Sequence, residues 1–110
     1  MTTPTILLLT ATIPASGTVS SAVAVNKGQK FIGIQMPTAF TGTAVTIKNS
    51  VDGTTFQTVY DPVAGADLSY KAAASKFVKI PLTDQGSYNS IQIVSNATEA
   101  AARKLTLAFV

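Results

Sequence analysis

Period-two alternation, carried in short runs rich in β-branched residues, is the strongest constraint this sequence places on its fold. Apolar side chains at alternate positions line one face of a strand, whereas a helix needs them every third or fourth residue. Residues 44–48 put Val45 and Ile47 on one face, residues 88–95 put Ile91 and Ile93 there, and residues 104–110 put Leu105, Leu107 and Phe109 there. Further strands are predicted over 5–13, 18–25 (Val19, Val23 and Val25), 30–36, 54–60 (Phe56 and Tyr60), 68–71 and 77–80. In the run 30–36, Phe31 and Gly33 are expected to face one way and Ile32, Ile34 and Met36 the other.

Turn chemistry separates these runs. Pro14 with 15–17, residues 26–28, Pro37, Asp61-Pro62, Pro81 and residues 83–86 all interrupt the alternation. The clearest hairpin turns at Asp52-Gly53, where Gly supplies a positive φ and Asp bonds its own backbone. The Ala-rich stretch 96–102 reads as a connection with room for one helical turn, too short to stand alone as a helix. Eight or nine short strands with turns every 8–12 residues or so predict an all-β, single-domain antiparallel β-sandwich. Without the Cys–Trp–Cys signature of immunoglobulin domains, a jelly-roll-like order is favoured, with a barrel as the alternative. The 110 residues make one domain, 1–110, in which 1–12 is an N-terminal arm or edge strand.

Composition then limits the chemistry. The chain has no Cys and no His, so thiol catalysis, Cys or His metal sites and the commonest general base are all excluded. No run approaches the roughly 20 apolar residues of a spanning helix, and no basic residue precedes the apolar start, so neither a membrane segment nor a signal peptide is expected. Only 12% of residues are charged, against 46% apolar. A surface so poor in charge is weakly protected against association, which points to an oligomeric structural protein.

The five acids are Asp52, Asp61, Asp67, Asp84 and Glu99. Asp52 and Asp61 each sit in a turn, as does Asp84, and that role accounts for them better than a catalytic carboxylate pair. Asp61 and Asp67 share a loop, but their spacing fits no calcium-loop pattern. Ser69 and Ser75 lie near Lys71 and Lys76 without the context of a Ser–Lys nucleophile. No catalytic, cofactor-binding or metal residues are therefore predicted. Lys71, Lys76 and Lys79 cluster beside Tyr70 and Phe77, an arrangement that single-stranded nucleic acid would use. A net charge of +3 argues against it, and lysines flanking an edge strand also discourage edge-to-edge pairing. Tyr60, Tyr70 and Tyr88 are the candidate stacking platforms for a carbohydrate. Asn96-Ala97-Thr98 matches a glycosylation acceptor, which has no meaning without secretion.

Residues 31–40 (FIGIQMPTAF), 45–56 (VTIKNSVDGTTF), 59–61 (VYD), 91–95 (IQIVS) and 100–107 (AAARKLTL), in that order and spacing, resemble small β-sandwich virion structural proteins of tailed bacteriophages. The resemblance spans roughly 13–109 and departs at Phe40, where a Trp is expected. It implies a non-enzymatic virion component, in first place a decoration or cement protein on the outer capsid surface that stabilises the head. The alternative is a carbohydrate-binding or adaptor module of a head fibre, neck or tail. The implied partners are the major capsid protein and further copies of the chain, as a homodimer or homotrimer; host polysaccharide belongs to the alternative. The implied location is the virion, assembled in the bacterial cytoplasm. No cofactor is implied.

Overall fold

The computed structural model describes residues 6–81 and 88–110. Among them lie eleven strand segments: β1 (Leu7–Ile13), β2 (Val23–Ala24), β3 (Phe31–Gln35), β4 (Ala44–Ser50), β5 (Gln57–Thr58), β6 (Tyr60–Asp61), β7 (Ala66–Asp67), β8 (Ser69–Lys71), β9 (Phe77–Lys79), β10 (Ser90–Ser95) and β11 (Arg103–Phe109). One sheet has the order β1-β11-β3-β9. The other has the order β2-β10-β4-β5, with β8 also pairing β4. A small β6-β7 ladder projects between β5 and β8 in the chain.

The pairing is nested. β1 pairs β11, β2 pairs β10, β3 pairs β9, and β4 pairs β5 and β8, all antiparallel. This is one long antiparallel hairpin, rolled until β11 meets β3 and β10 meets β4. Counting β5 and β8 as one interrupted strand, successive strands alternate between the sheets except at β4 and its partner. That is the two-sheet jelly-roll order expected from the sequence. Each sheet presents one apolar face to the other, as sandwich packing requires.

Val45, Ile47, Ile91, Ile93, Leu105, Leu107 and Phe109 are all fully buried, as their alternation predicts. The expectation for β3 needs correction, because Phe31, Ile34 and Met36 all belong to the core. The register with β11 runs Ile34↔Leu107, Gly33↔Ala108, then Phe31↔Phe109. Ile32 is thus the extra residue of a bulge, and the bulge reverses the facing of the strand. Phe31 and Phe109 then meet with ring centroids 5.3 Å apart. Gly33 faces outward beneath Phe77, whose ring atoms would lie 2.2 Å from any Cβ added there.

Other expectations are refined. The strand predicted over 18–25 is only β2 plus an isolated bridge from Val19 to Val94. The strand predicted over 54–60 is broken into β5 and β6; Phe56 is half-buried and Tyr60 exposed. Residues 96–102 form no helical turn. The Glu99 amide donates to the carbonyl of Gly17 (3.0 Å) and the Ala97 amide to Ser95 Oγ (3.1 Å), so bonds to side chains and to a distant loop replace the helical ladder. The turn predicted over 83–86 lies outside the described residues.

Gly42 fits only without a side chain. A Cβ there would lie 2.5 Å from Ser95 Oγ, 2.8 Å from Phe40 Cζ and 2.9 Å from Asn96 Oδ1. Ser95 and Phe40 are buried, and Asn96 is held by three hydrogen bonds, so none of the three yields cheaply. Gly42→Ala is expected to cost about 2 kcal/mol, within the range for overpacking. A urea titration showing a lower midpoint at unchanged slope would confirm it.

Candidate functional site

Asp52 and Asp61 each have a local task. Asp52 Oδ1 accepts from the amides of Thr54 and Thr55 and from Ser50 Oγ, each at 2.8 Å. The Thr55 amide first, then that of Thr54 and the Ser50 hydroxyl, hold its pKa down at about 2. Asp61 Oδ1 caps the β6-β7 turn by accepting from Val63 (3.0 Å) and Ala64 (3.3 Å). Asp67 stands opposite Tyr60 in the ladder, not beside Asp61. No group of three or more His, Cys, Asp or Glu placed to hold a metal occurs among the described residues. Asp84 lies outside them.

Glu99 is the residue sequence reasoning missed. It is wholly buried. Its Oε1 accepts from the Thr41 amide and from Arg103 Nε, both at 3.0 Å, and its Oε2 from Ser95 Oγ at 3.3 Å. Its own carbonyl accepts from Ser16 at 2.7 Å. Thr41, Ser95 and Arg103 meet at its carboxylate, and Ser16 at its main chain. The only sequence signal is a lone acid four residues before Arg103 in an uncharged run, and that spacing points to a helix, not a buried pin.

The acceptor motif at Asn96 is also structural. Its side-chain oxygen accepts from Thr43 (2.9 Å) and Ala44 (3.3 Å), while its amide donates to Thr43 Oγ1 (2.8 Å). Of the candidate platforms, Tyr60 is 56% exposed, whereas Tyr70 and Tyr88 are partly buried against the core. Ser75 lies in the turn before β9 with φ 62°, its amide donating to the Pro37 carbonyl.

Among the described residues, two surfaces stand open for binding. The first is a groove of about 490 Å³ between β8 and β9, where the chain crosses from one sheet to the other. It is lined by Lys71, Lys76 and Lys79 with Tyr70 and Phe77, the cluster picked out in the sequence, and by no carboxylate among the described residues. Among the described residues the ion pair is Arg103–Glu99, so these lysines are not neutralised there. Phe77 is 57% exposed.

The second is the free edge of β1. Leu7 and Leu9 pack against the core, while Ile6 and Leu8 stand 56% and 59% exposed. Thr12 turns its amide and carbonyl away from β11, to Ser21 Oγ (3.0 Å) and the Ser21 amide (2.9 Å). By the two-residue repeat of an antiparallel ladder, Leu8 and Thr10 also turn their main-chain groups outward. The seven residues of this edge carry no charge.

Among the described residues, fold and surfaces together define a jelly-roll β-sandwich whose first sheet ends in the edges β1 and β9. No known protein family, curated protein or solved structure matches the chain.

Proposed function

We propose that this chain is a non-enzymatic structural protein of a tailed-phage virion, a decoration protein that binds the outer capsid surface and stabilises the head. The observation that carries this reading is the β1 edge. A long, uncharged, apolar edge strand is a standing invitation to pair, and proteins that remain monomeric blunt such edges with Lys, Pro or bulges. Here the lysines guard β9 at the opposite end of the sheet and leave β1 bare. An edge of this kind suits burial against the major capsid protein or another copy of the chain. Many modest contacts repeated over a shell would give tight overall binding by avidity. The jelly roll, which also serves capsid and lectin domains, adds support by fold-level analogy alone.

The test is copy number in purified particles of the encoding phage, by quantitative mass spectrometry against the major capsid protein. Hundreds of copies in a simple ratio are expected. A dozen or fewer would shift the assignment to a head fibre, neck or tail, where exposed Tyr60 and Phe77 favour an adaptor or carbohydrate-binding module. Absence from particles would overturn the reading. Leu8→Lys places a charge on the bare edge at an exposed position. It is expected to change stability by less than about 0.5 kcal/mol while weakening binding to particles roughly tenfold, the effect of about 1.4 kcal/mol.

A further inference from the structure

We propose that the groove between β8 and β9 takes an extended acidic segment of a partner protein, which adds as a strand to the free edge of β9. The hydrogen-bonding directions make this edge available. Toward β3, the Met36 amide donates to the Lys76 carbonyl and the Ile80 amide to the Ile32 carbonyl, each at 2.9 Å. Residues 76, 78 and 80 therefore bond inward, and the register Ile34↔Val78 agrees. Phe77 and Lys79 turn both amide and carbonyl the other way, and among the described residues no strand pairs with that side of β9. The facing wall is similar. The Ala72 amide donates to the Thr43 carbonyl, so Ser69 and Lys71 direct their main-chain groups away from β4.

Charge selects the occupant. Lys71, Lys76 and Lys79 surround these free groups, and among the described residues no acid lines the groove. A second copy of this edge would bring like charges together, which disfavours self-pairing. An extended segment with acids at alternate positions turns them to the face of β9 that carries Lys79, offers its main chain to Phe77 and Lys79, and lays the aliphatic stem of one acid on the exposed Phe77 ring, which shares that face. This is strand addition, with main-chain bonds supplying affinity and side chains supplying selectivity. The inference goes beyond the virion reading and stands without it: absence from particles would leave it intact, and failure of the peptide to bind would leave copy number untouched.

The test uses the full chain and a ten-residue peptide alternating Glu and Thr. Hydrogen exchange at the Phe77 and Lys79 amides is expected to slow at least tenfold on saturation. A Lys76→Glu/Lys79→Glu double variant, altered at two exposed side chains, is expected to keep its urea midpoint and bind the peptide at least tenfold more weakly. Leu8→Lys, at the far edge, is expected to bind as the parent does. Unchanged exchange at both amides, or undiminished binding by the double variant, would overturn the proposal. So would tighter binding at these residues by alginate or oligo(dT), which would assign the groove to acidic polysaccharide or to nucleic acid.

Discussion

Glu99→Ala is expected to destabilise the protein by about 3 kcal/mol, the lower end of the cost of removing one partner from a buried ion pair. The change strands the Thr41 amide, the Ser95 hydroxyl and the Arg103 guanidinium around an apolar methyl. Such a loss is a large share of the 5–15 kcal/mol or so that holds a domain together. The pH dependence gives an independent check. Burial pushes the Glu99 pKa up, but the Thr41 amide, Arg103 and Ser95 together outweigh it and hold the carboxyl below its ordinary 4.5. A depressed folded-state pKa stabilises the protein fully above the unfolded value and loses that stabilisation as pH falls through the folded one. The parent should therefore lose stability as pH falls below about 4.5, more steeply than Glu99→Gln. Asp52, whose pKa is also lowered, is common to both proteins, so the difference between the two curves isolates Glu99. Parallel curves would mean that folding leaves the Glu99 pKa unshifted, and a parent that gains stability relative to Glu99→Gln as pH falls would mean that Glu99 is uncharged in the fold.

Phe109→Ala is expected to cost about 4 kcal/mol, the middle of the range for emptying a buried aromatic site. Phe109 is fully buried, stacks near Phe31, and sits in register with both Leu7 and Phe31. The cavity therefore opens between β1, β11 and β3 at once. Calorimetry should show the loss in melting temperature. Limited proteolysis should show earlier cleavage in the β1 segment than in β4 or β10, because among the described residues β1 pairs with β11 alone. Equal protection of all three strands would mean that the neighbouring side chains collapse into the space.

How much of this was legible before the fold was known depends on where the determining contacts lie. β4, β10 and β11 alternate strictly, and their inward faces follow from periodicity because each strand's burial is written in its own residues. β3 is different. Its facing reverses at Ile32, and the reversal is set by the register against β11, which no local pattern encodes. Glu99 was illegible for a related reason: Thr41 and Ser16 reach it from distant loops, and neighbouring alanines suggest a helix that those contacts displace. The basic groove was half legible. Its lysines and aromatics fall on consecutive strands and so cluster in the sequence. The outward-turned main chain of Phe77 and Lys79 emerges only when pairing with β3 fixes which residues bond inward.

The nested pairing also governs when the molecule can form. Leu7 must find Phe109, and every inner pair encloses a shorter span of chain. Contacts this distant in sequence slow the search, and sandwiches of such topology fold in milliseconds to seconds. During synthesis the apolar run 6–9 is made before the other strands of the described residues, and its strand partner β11 is made after them. A nascent chain thus carries this apolar segment without its strand partner while the intervening strands are made, and the time before closure, more than the finished fold, is when a chaperone has something to hold.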